Sequence, residues 1–259
     1  MTSSLKSTSE GETLILTISN PDLRNALSPE MYAAGIEALN ASEANPAIRS
    51  VILTGEGAAF CAGGNLQRLL DNRAQPKDVQ AQSIDGLHSF IDSIRAYPKP
   101  VIAAVEGAAA GAGFSLALAC DFCVAADNAV FVMAYSSIGL SPDGGGSWAL
   151  ARALPRQLAM QLMMCADRIT SQRLHDLGLV NQVCPSGHAF TEALALADRL
   201  NTRAPNALAS IKALVNDAPT NSLMQHLAQE RDHFVDNLRH ANAAEGITAF
   251  LEKRKPDYR

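Results

Sequence analysis

The first sustained apolar run, TLILTIS from Thr13 to Ser19, mixes β-branched and apolar residues as a strand does, and SNPDLRN supplies turn chemistry directly after it. A helix is predicted from Ser28, with Pro29 in its first turn, Glu30 suited to the helix dipole, and Met31, Ile36 and Leu39 as apolar positions. SVILTG, from Ser50 to Gly55, and VIAAVEG, from Val101 to Gly107 after the break at Pro98 and Pro100, read as further strands. Short strands follow at 122–126 and 130–134. From about Pro155 the pattern becomes almost continuously helical, over 157–164, 171–177, 189–202, 207–215, 221–239 and 243–253. The pattern gives an α/β core over residues 1–190 and a helical part over residues 191–259 whose apolar faces need a partner.

Composition narrows the setting. The 259 residues are 47% apolar but only 5% aromatic, so the chain packs with small side chains and suffices for one large domain or a domain with an appendage. Charged residues are 18% and the net charge is −5, which excludes disorder and, without a basic tract, gives no support for a nucleic-acid partner. Met1 to Glu10 is polar, with no secretory apolar core. The longest uncharged run, Gly107 to Cys120, is too short to cross a bilayer. No membrane span and a cytoplasmic location are expected. Cysteines 61, 120, 123, 165 and 184 are odd in number in a chain large enough to need no disulfide staples, which fits reduced thiols. Cys120 and Cys123 lack the second pair that a zinc site needs, so they read as buried thiols beside a strand, and no metal is expected.

Eleven of the 17 glycines fall into three clusters: 55, 57, 63 and 64; 107, 111 and 113; 139, 144, 145 and 146. The first two follow strands directly, and the second runs into helix composition, so a ligand there would meet main-chain N–H groups backed by a helix dipole. Two such turns converging on one developing negative charge make an oxyanion hole. Close packing of small residues is the plainer use of the same pattern. Neither cluster spells Gly-x-Gly-x-x-Gly, and no Gly-Lys-Ser is present.

Five segments carry a resemblance: NPDLRNAL (Asn20 to Leu27), AFCAGGNL (Ala59 to Leu66), KPVIAAVEG (Lys99 to Gly107), AGAGFSLALACD (Ala110 to Asp121) and EGITAFLEKRK (Glu245 to Lys255). In order and spacing they resemble the crotonase superfamily, the enoyl-CoA hydratase/isomerase family. The resemblance implies a spiral of ββα units with a helical C-terminal trimerisation region, assembled as a homotrimer or a dimer of trimers. It implies an acyl-CoA thioester as substrate, coenzyme A being part of that substrate and no separate cofactor being needed. By motif position the thioester oxygen accepts from the amides of Ala62 and Ala112. Arg24 and the backbone at Ala26 hold the nucleotide end, Phe250 and Lys253 reach it from the C-terminal helix, and Gly63, Asn65, Leu66 and Tyr135 face the substrate. The acyl pocket falls between Gln67 and Leu87 and around Ser136 to Leu140. Asn65 stands where the family usually has Asp.

The family's hydratases place a glutamate at each of two positions, one for activating water and one for protonating the α-carbon. Here these positions read Ser115 and Tyr135, whose hydroxyls are poor bases at neutral pH. GLSPDGGGSW (Gly139 to Trp148) instead resembles enoyl-CoA isomerases and phenylacetate-pathway ring isomerases, which have an acid at the position of Asp143. One carboxylate suffices for a proton shift, so an acyl-CoA double-bond or ring isomerase is the expected enzyme. From local sequence alone Asp143 also reads as a helix N-cap. The alternatives are a hydratase, an aroyl-CoA dehalogenase or hydrolase with Asp143 as nucleophile and His88 activating water, and a binding protein without catalysis.

Overall fold

The computed structural model describes residues 3–258. In chain order its elements are β1 (Ser4–Glu10), β2 (Thr13–Ser19), α1 (Pro29–Glu43), β3 (Ser50–Gly55), α2 (Leu66–Asn72), α3 (Lys77–Ala96), β4 (Val101–Val105), β5 (Ala108–Ala110) and α4 (Ala112–Ala119). There follow β6 (Phe122–Ala126), β7 (Val130–Val132), α5 (Gly146–Ala153), α6 (Arg156–Met164), β8 (Ile169–Thr170), α7 (Ser171–Asp176) and β9 (Gln182–Cys184). Four helices close the chain: α8 (Ala189–Asn201), α9 (Pro205–Asp217), α10 (Leu223–Arg239) and α11 (Ala241–Leu251).

Six strands form one sheet in the order β1-β2-β3-β4-β6-β9, parallel except for the β1/β2 pair, and β5-β7-β8 form a second. The units repeat. β4 lies in the large sheet, β5 in the small one, and α4 follows; β6, β7 and α5 do the same. After β3, a single bridge from Cys61 to Ala109 stands in for the small-sheet strand before α2. This is the expected ββα spiral.

Burial on both faces explains the continuous apolar runs of the central strands. Val51, Leu53, Val101, Ala103 and Val105 face the main core with Phe60, Phe90, Phe114 and Phe131. Ile52, Ile102, Ala104 and Val124 face the other way, against Ala189, Ala193 and Ala197 of α8. That helix begins at the expected division near residue 190 and covers the outer face of the large sheet. Helix α9 is tied to the core where Lys212 Nζ donates to Asp121 Oδ2 (2.7 Å) and to the Ile94 carbonyl oxygen (3.0 Å). Beyond it, α9 and α10 carry an exposed apolar set, including Ile211, Val215, Leu223, Met224 and Phe234.

The sequence pattern did not show β1. Its residues, SLKSTSE, are mostly exposed and polar, and backbone pairing with β2 over the whole of Ser4 to Glu10 makes them a strand. A second local surprise is the turn after β2. Arg24 and Asn25 both have left-handed backbones, with φ of 50° and 61°, a conformation that asparagine tolerates best among residues with a side chain. Asn25 is fully buried; its Nδ2 donates to the carbonyl oxygens of Glu56 (2.9 Å) and Ala59 (2.7 Å), and its Oδ1 accepts from the Asn20 amide (3.0 Å). The 20–27 turn is thereby stitched to the first glycine cluster. Asn25→Ala removes three buried hydrogen bonds, strands their partners and leaves alanine in a left-handed backbone, so urea titration should show unfolding free energy lower by about 3–5 kcal/mol. A loss under about 1 kcal/mol would show the stitch to be dispensable.

Candidate active site

Backbone groups make the floor of the site. Cys61 donates to the Ala108 carbonyl oxygen (3.0 Å) and accepts from the Ala110 amide (2.9 Å), which lays the first glycine turn along β5. The contact is tight enough to require glycine: a Cβ on Gly113 would run into the Cys61 carbonyl, and one on Gly63 would stand 2.7 Å from the Ala110 carbonyl oxygen and 3.4 Å from the Ala112 nitrogen. Ala112 opens α4, so its amide has no partner within the helix and carries the positive end of the dipole.

One expected donor is corrected. The Ala62 amide donates to the Arg24 carbonyl oxygen at 3.0 Å, so it braces the 20–27 turn and does not face the cleft. The Gly63 amide is directed at Cys61 Sγ (3.4 Å), and Gly63 lends its carbonyl oxygen to the Leu27 amide (2.8 Å). Among the described residues the Gly64 amide has no backbone acceptor. The two amides left for a ligand are those of Gly64 and Ala112. Hydrogen-bond bookkeeping, invisible in the sequence, separates Gly64 from its neighbour two residues back.

Asp143 approaches this floor from the third glycine cluster. Helix α5 starts at Gly146 with Gly145 as its N-cap residue and no side-chain cap, so Asp143 does not serve as the N-cap. Its Oδ1 instead accepts from the Tyr135 hydroxyl at 2.6 Å. Tyr135 is 8% exposed, and a Cβ on Gly111 would lie 3.6 Å from its hydroxyl, so the phenol bridges the carboxylate and the start of α4. Burial, reinforced by the Asp143 charge, pushes the Tyr135 phenol far above its usual value, so it remains a proton donor. Ser115, 1% exposed, donates to the Asp143 carbonyl oxygen at 3.0 Å. A Cβ on Gly144 would stand 3.0 Å from Ser115 Cβ, and one on Gly146 would stand 2.6 Å from Ser115 Oγ. The turn bearing Asp143 therefore fills the space that a longer acidic side chain at 115 would need.

The remaining expected residues divide. Ala26 is buried and Arg24 exposed beside the glycine turn. Asn65 caps α2, its Oδ1 accepting from the Arg68 amide at 3.1 Å, and Leu66 is exposed. Phe250 and Lys253 are exposed at the end of α11, and among the described residues neither hydrogen-bonds to the cleft. His88 is exposed on α3 rather than set against Asp143. Two residues of the site carry no motif and were missed: Tyr32 of α1, 4% exposed, and Arg68 of α2. Burial raises the Tyr32 phenol to about 12; the Asp143 charge adds to this while the Arg68 guanidinium opposes it. Cys123 is buried in β6 and its thiol is pushed up to about 12 by burial, while Cys120, expected to be buried with it, is partly exposed. No cluster of three metal-ligating side chains occurs among the described residues, and no helix is long and apolar enough to cross a membrane.

A family model described as enoyl-CoA hydratase/isomerase matches residues 9–259. The chain belongs to this family. Among curated relatives, 1,2-epoxyphenylacetyl-CoA isomerase of Escherichia coli K12 is 37% identical over 246 residues, covering 95% of this chain and 94% of that protein. A 2,3-dehydroadipyl-CoA hydratase of the same organism is 35% identical with the same coverage. Among solved structures, an enoyl-CoA hydratase from Polaromonas sp. JS666 is 72% identical with a TM-score of 0.98, over 99% of this chain and 100% of that one. Members of the hydratase/isomerase family act on CoA thioesters, and the crotonase fold of this chain is theirs.

Both buried phenols are neutral in the folded enzyme and ionise first in the unfolded chain. Their contribution to stability is complete below about pH 10 and is lost as pH rises above it. Between about pH 9 and 11 the urea midpoint of the parent protein should fall more than that of Tyr135→Phe. Equal falls would place the Tyr135 phenol in water.

Proposed function

We propose that this enzyme is an acyl-CoA isomerase that moves a proton between two carbons of the acyl chain, with Asp143 as the single acid/base. The observation that carries this reading is the Tyr135 to Asp143 hydrogen bond of 2.6 Å. It fixes one carboxylate oxygen and leaves Oδ2 for substrate, in a cleft where Ser115 and Tyr135 hold the two glutamate positions of the hydratases. Oδ2 removes a proton from C2 of a 3-enoyl-CoA. The electron pair moves onto the thioester oxygen, where the Gly64 and Ala112 amides stabilise the enolate. The protonated Asp143 returns the proton at C4, giving the 2-enoyl isomer with no water consumed. Arg24, with Phe250 and Lys253, would hold the nucleotide end of CoA, as cations suit phosphates.

Asp143→Asn keeps the shape and removes the base, so kcat for 3-enoyl-CoA should fall by about 10³-fold with little change in KM. Turnover within about threefold of the parent would exclude this role. The printed names of several relatives favour a second reading, hydration. Mixing the parent enzyme with 2-enoyl-CoA distinguishes the two: rapid loss of enoyl absorbance with addition of water to the product mass would support hydration, and, in deuterated water, deuterium incorporation without addition of water supports the isomerase.

Assembly belongs to the same proposal. A groove of about 630 Å³ between α9 and α10, lined by Ile211, Leu214, Leu227 and Phe234, presents apolar surface that would be covered in a homotrimer or dimer of trimers. Phe234, 68% exposed, is the largest side chain in that lining. Phe234→Asp should convert the assembly to monomers in sedimentation, whereas an unchanged mass would place the interface elsewhere.

A further inference from the structure

Arg68 lies in the second turn's helix, three residues past the Asn65 cap, in the stretch that opens the acyl pocket. Its Nε and Nη1 are fully buried, yet neither has a hydrogen-bond partner. Among the described residues it forms no ion pair. A guanidinium is always charged; the Tyr32 hydroxyl takes a hydrogen bond from Arg68, but leaving two further buried nitrogens without acceptors is costly. The carboxylates that could have answered it are otherwise arranged: Glu30 at the start of α1 is exposed and hydrogen-bonded to Ser28, and Asp143 is held by Tyr135. Tyr32 hydrogen-bonds to Arg68 and also feels the Asp143 charge. The cation is thus close to the proposed base without being consumed by it.

We propose that Arg68 is a specificity-determining residue that donates hydrogen bonds to an oxygen of the acyl group, so that the substrate is an acyl-CoA whose chain carries a hydrogen-bond acceptor beyond the reacting carbons. The orphaned N–H groups are satisfied when such a substrate binds and remain unsatisfied with a plain hydrocarbon chain. A site built to hydrogen-bond its substrate rejects the analogue lacking the partner far more strongly than an apolar pocket rejects one methylene. The oxygen could be anionic, as in a terminal carboxylate, or neutral, as in a ring ether or ketone; both accept from the same nitrogens.

The inference rests on the reading of the cleft as an acyl-CoA site but not on which reaction occurs there, so binding of unreactive analogues tests it. CoA thioethers with equal chains ending in methyl, methyl ketone or carboxylate would be titrated by calorimetry into the parent protein and Arg68→Met. The methyl analogue reports acyl-CoA binding by itself, and the ratios between analogues report Arg68. In the parent, at least one oxygenated analogue should bind about tenfold or more tighter than the methyl analogue. Arg68→Met should abolish that preference while binding the methyl analogue as well as the parent does, and its melting temperature should fall little, because removing a buried charge with two unsatisfied nitrogens offsets the lost hydrogen bond to Tyr32. Equal affinities in the parent, or the same preference in Arg68→Met, would overturn the proposal. Arg68→Lys, retaining charge without Nε, should keep part of the preference, and full loss of all binding in both variants would show a merely structural role.

Discussion

Backbone pressed on backbone is the constraint from which the site follows. The turn after β3 lies against the turn after β4 so closely that Gly63 and Gly113 have no space for a side chain. That proximity brings the first glycine turn against the N-terminus of α4, where Ala112 carries the positive end of the helix dipole. It also explains the composition: a chain with 5% aromatic residues and 47% apolar ones fills its core with alanine, valine and leucine because its spiral turns must approach at main-chain distance. The buried Asn25 completes the brace from the third side, tying the 20–27 turn to Glu56 and Ala59. Rigid amides suit electrostatic stabilisation, since donors already aimed at the developing charge need no reorganisation during the reaction.

On this floor, Ser115 and Tyr135 have structural work beside Asp143. Ser115 is not a shortened glutamate left in an open space; it holds the Asp143 carbonyl, and glycines 144 and 146 occupy the volume around it. Tyr135 is not a weak acid standing in for a strong one; its buried phenol orients Asp143. Both residues thereby hold Asp143 in the turn before α5. A change at one position alone would leave either a gap beside Ser115 or an unheld carboxylate, so the three residues are best understood together.

Much of this was legible in the sequence, for identifiable reasons. The central strands are continuous apolar runs because both of their faces are buried, and Pro29 with Glu30 marks the start of α1 as helix chemistry requires. The glycine clusters marked where backbone would meet ligand. Three things were not legible. Strand β1 is polar because only its hydrogen bonds, not its side chains, hold it in the sheet. The exchange of Ala62 for Gly64 as donor depends on a bond to a carbonyl oxygen 38 positions earlier in the chain, at Arg24. Tyr32 lies on a helix whose apolar positions read as Met31, Ile36 and Leu39, and Arg68 lies on α2, a helix that the sequence pattern did not show, so neither stood out.

The separation of charge within the cleft carries the chemistry further. Had Arg68 paired directly with Asp143, the guanidinium would occupy the carboxylate oxygens that must reach the acyl carbons, and the base would become a structural anion. A neutral phenol at Asp143 avoids this, because one donated hydrogen bond orients the group and leaves its second oxygen available. The buried phenol of Tyr32 plays the matching part toward the cation, standing near both charges while remaining uncharged itself. Neutral hydroxyls thus serve both charges, Tyr135 at Asp143 and Tyr32 at Arg68. Under the proposed reaction, a ligand that presents an acidic carbon to the anion and an oxygen to the cation would satisfy both.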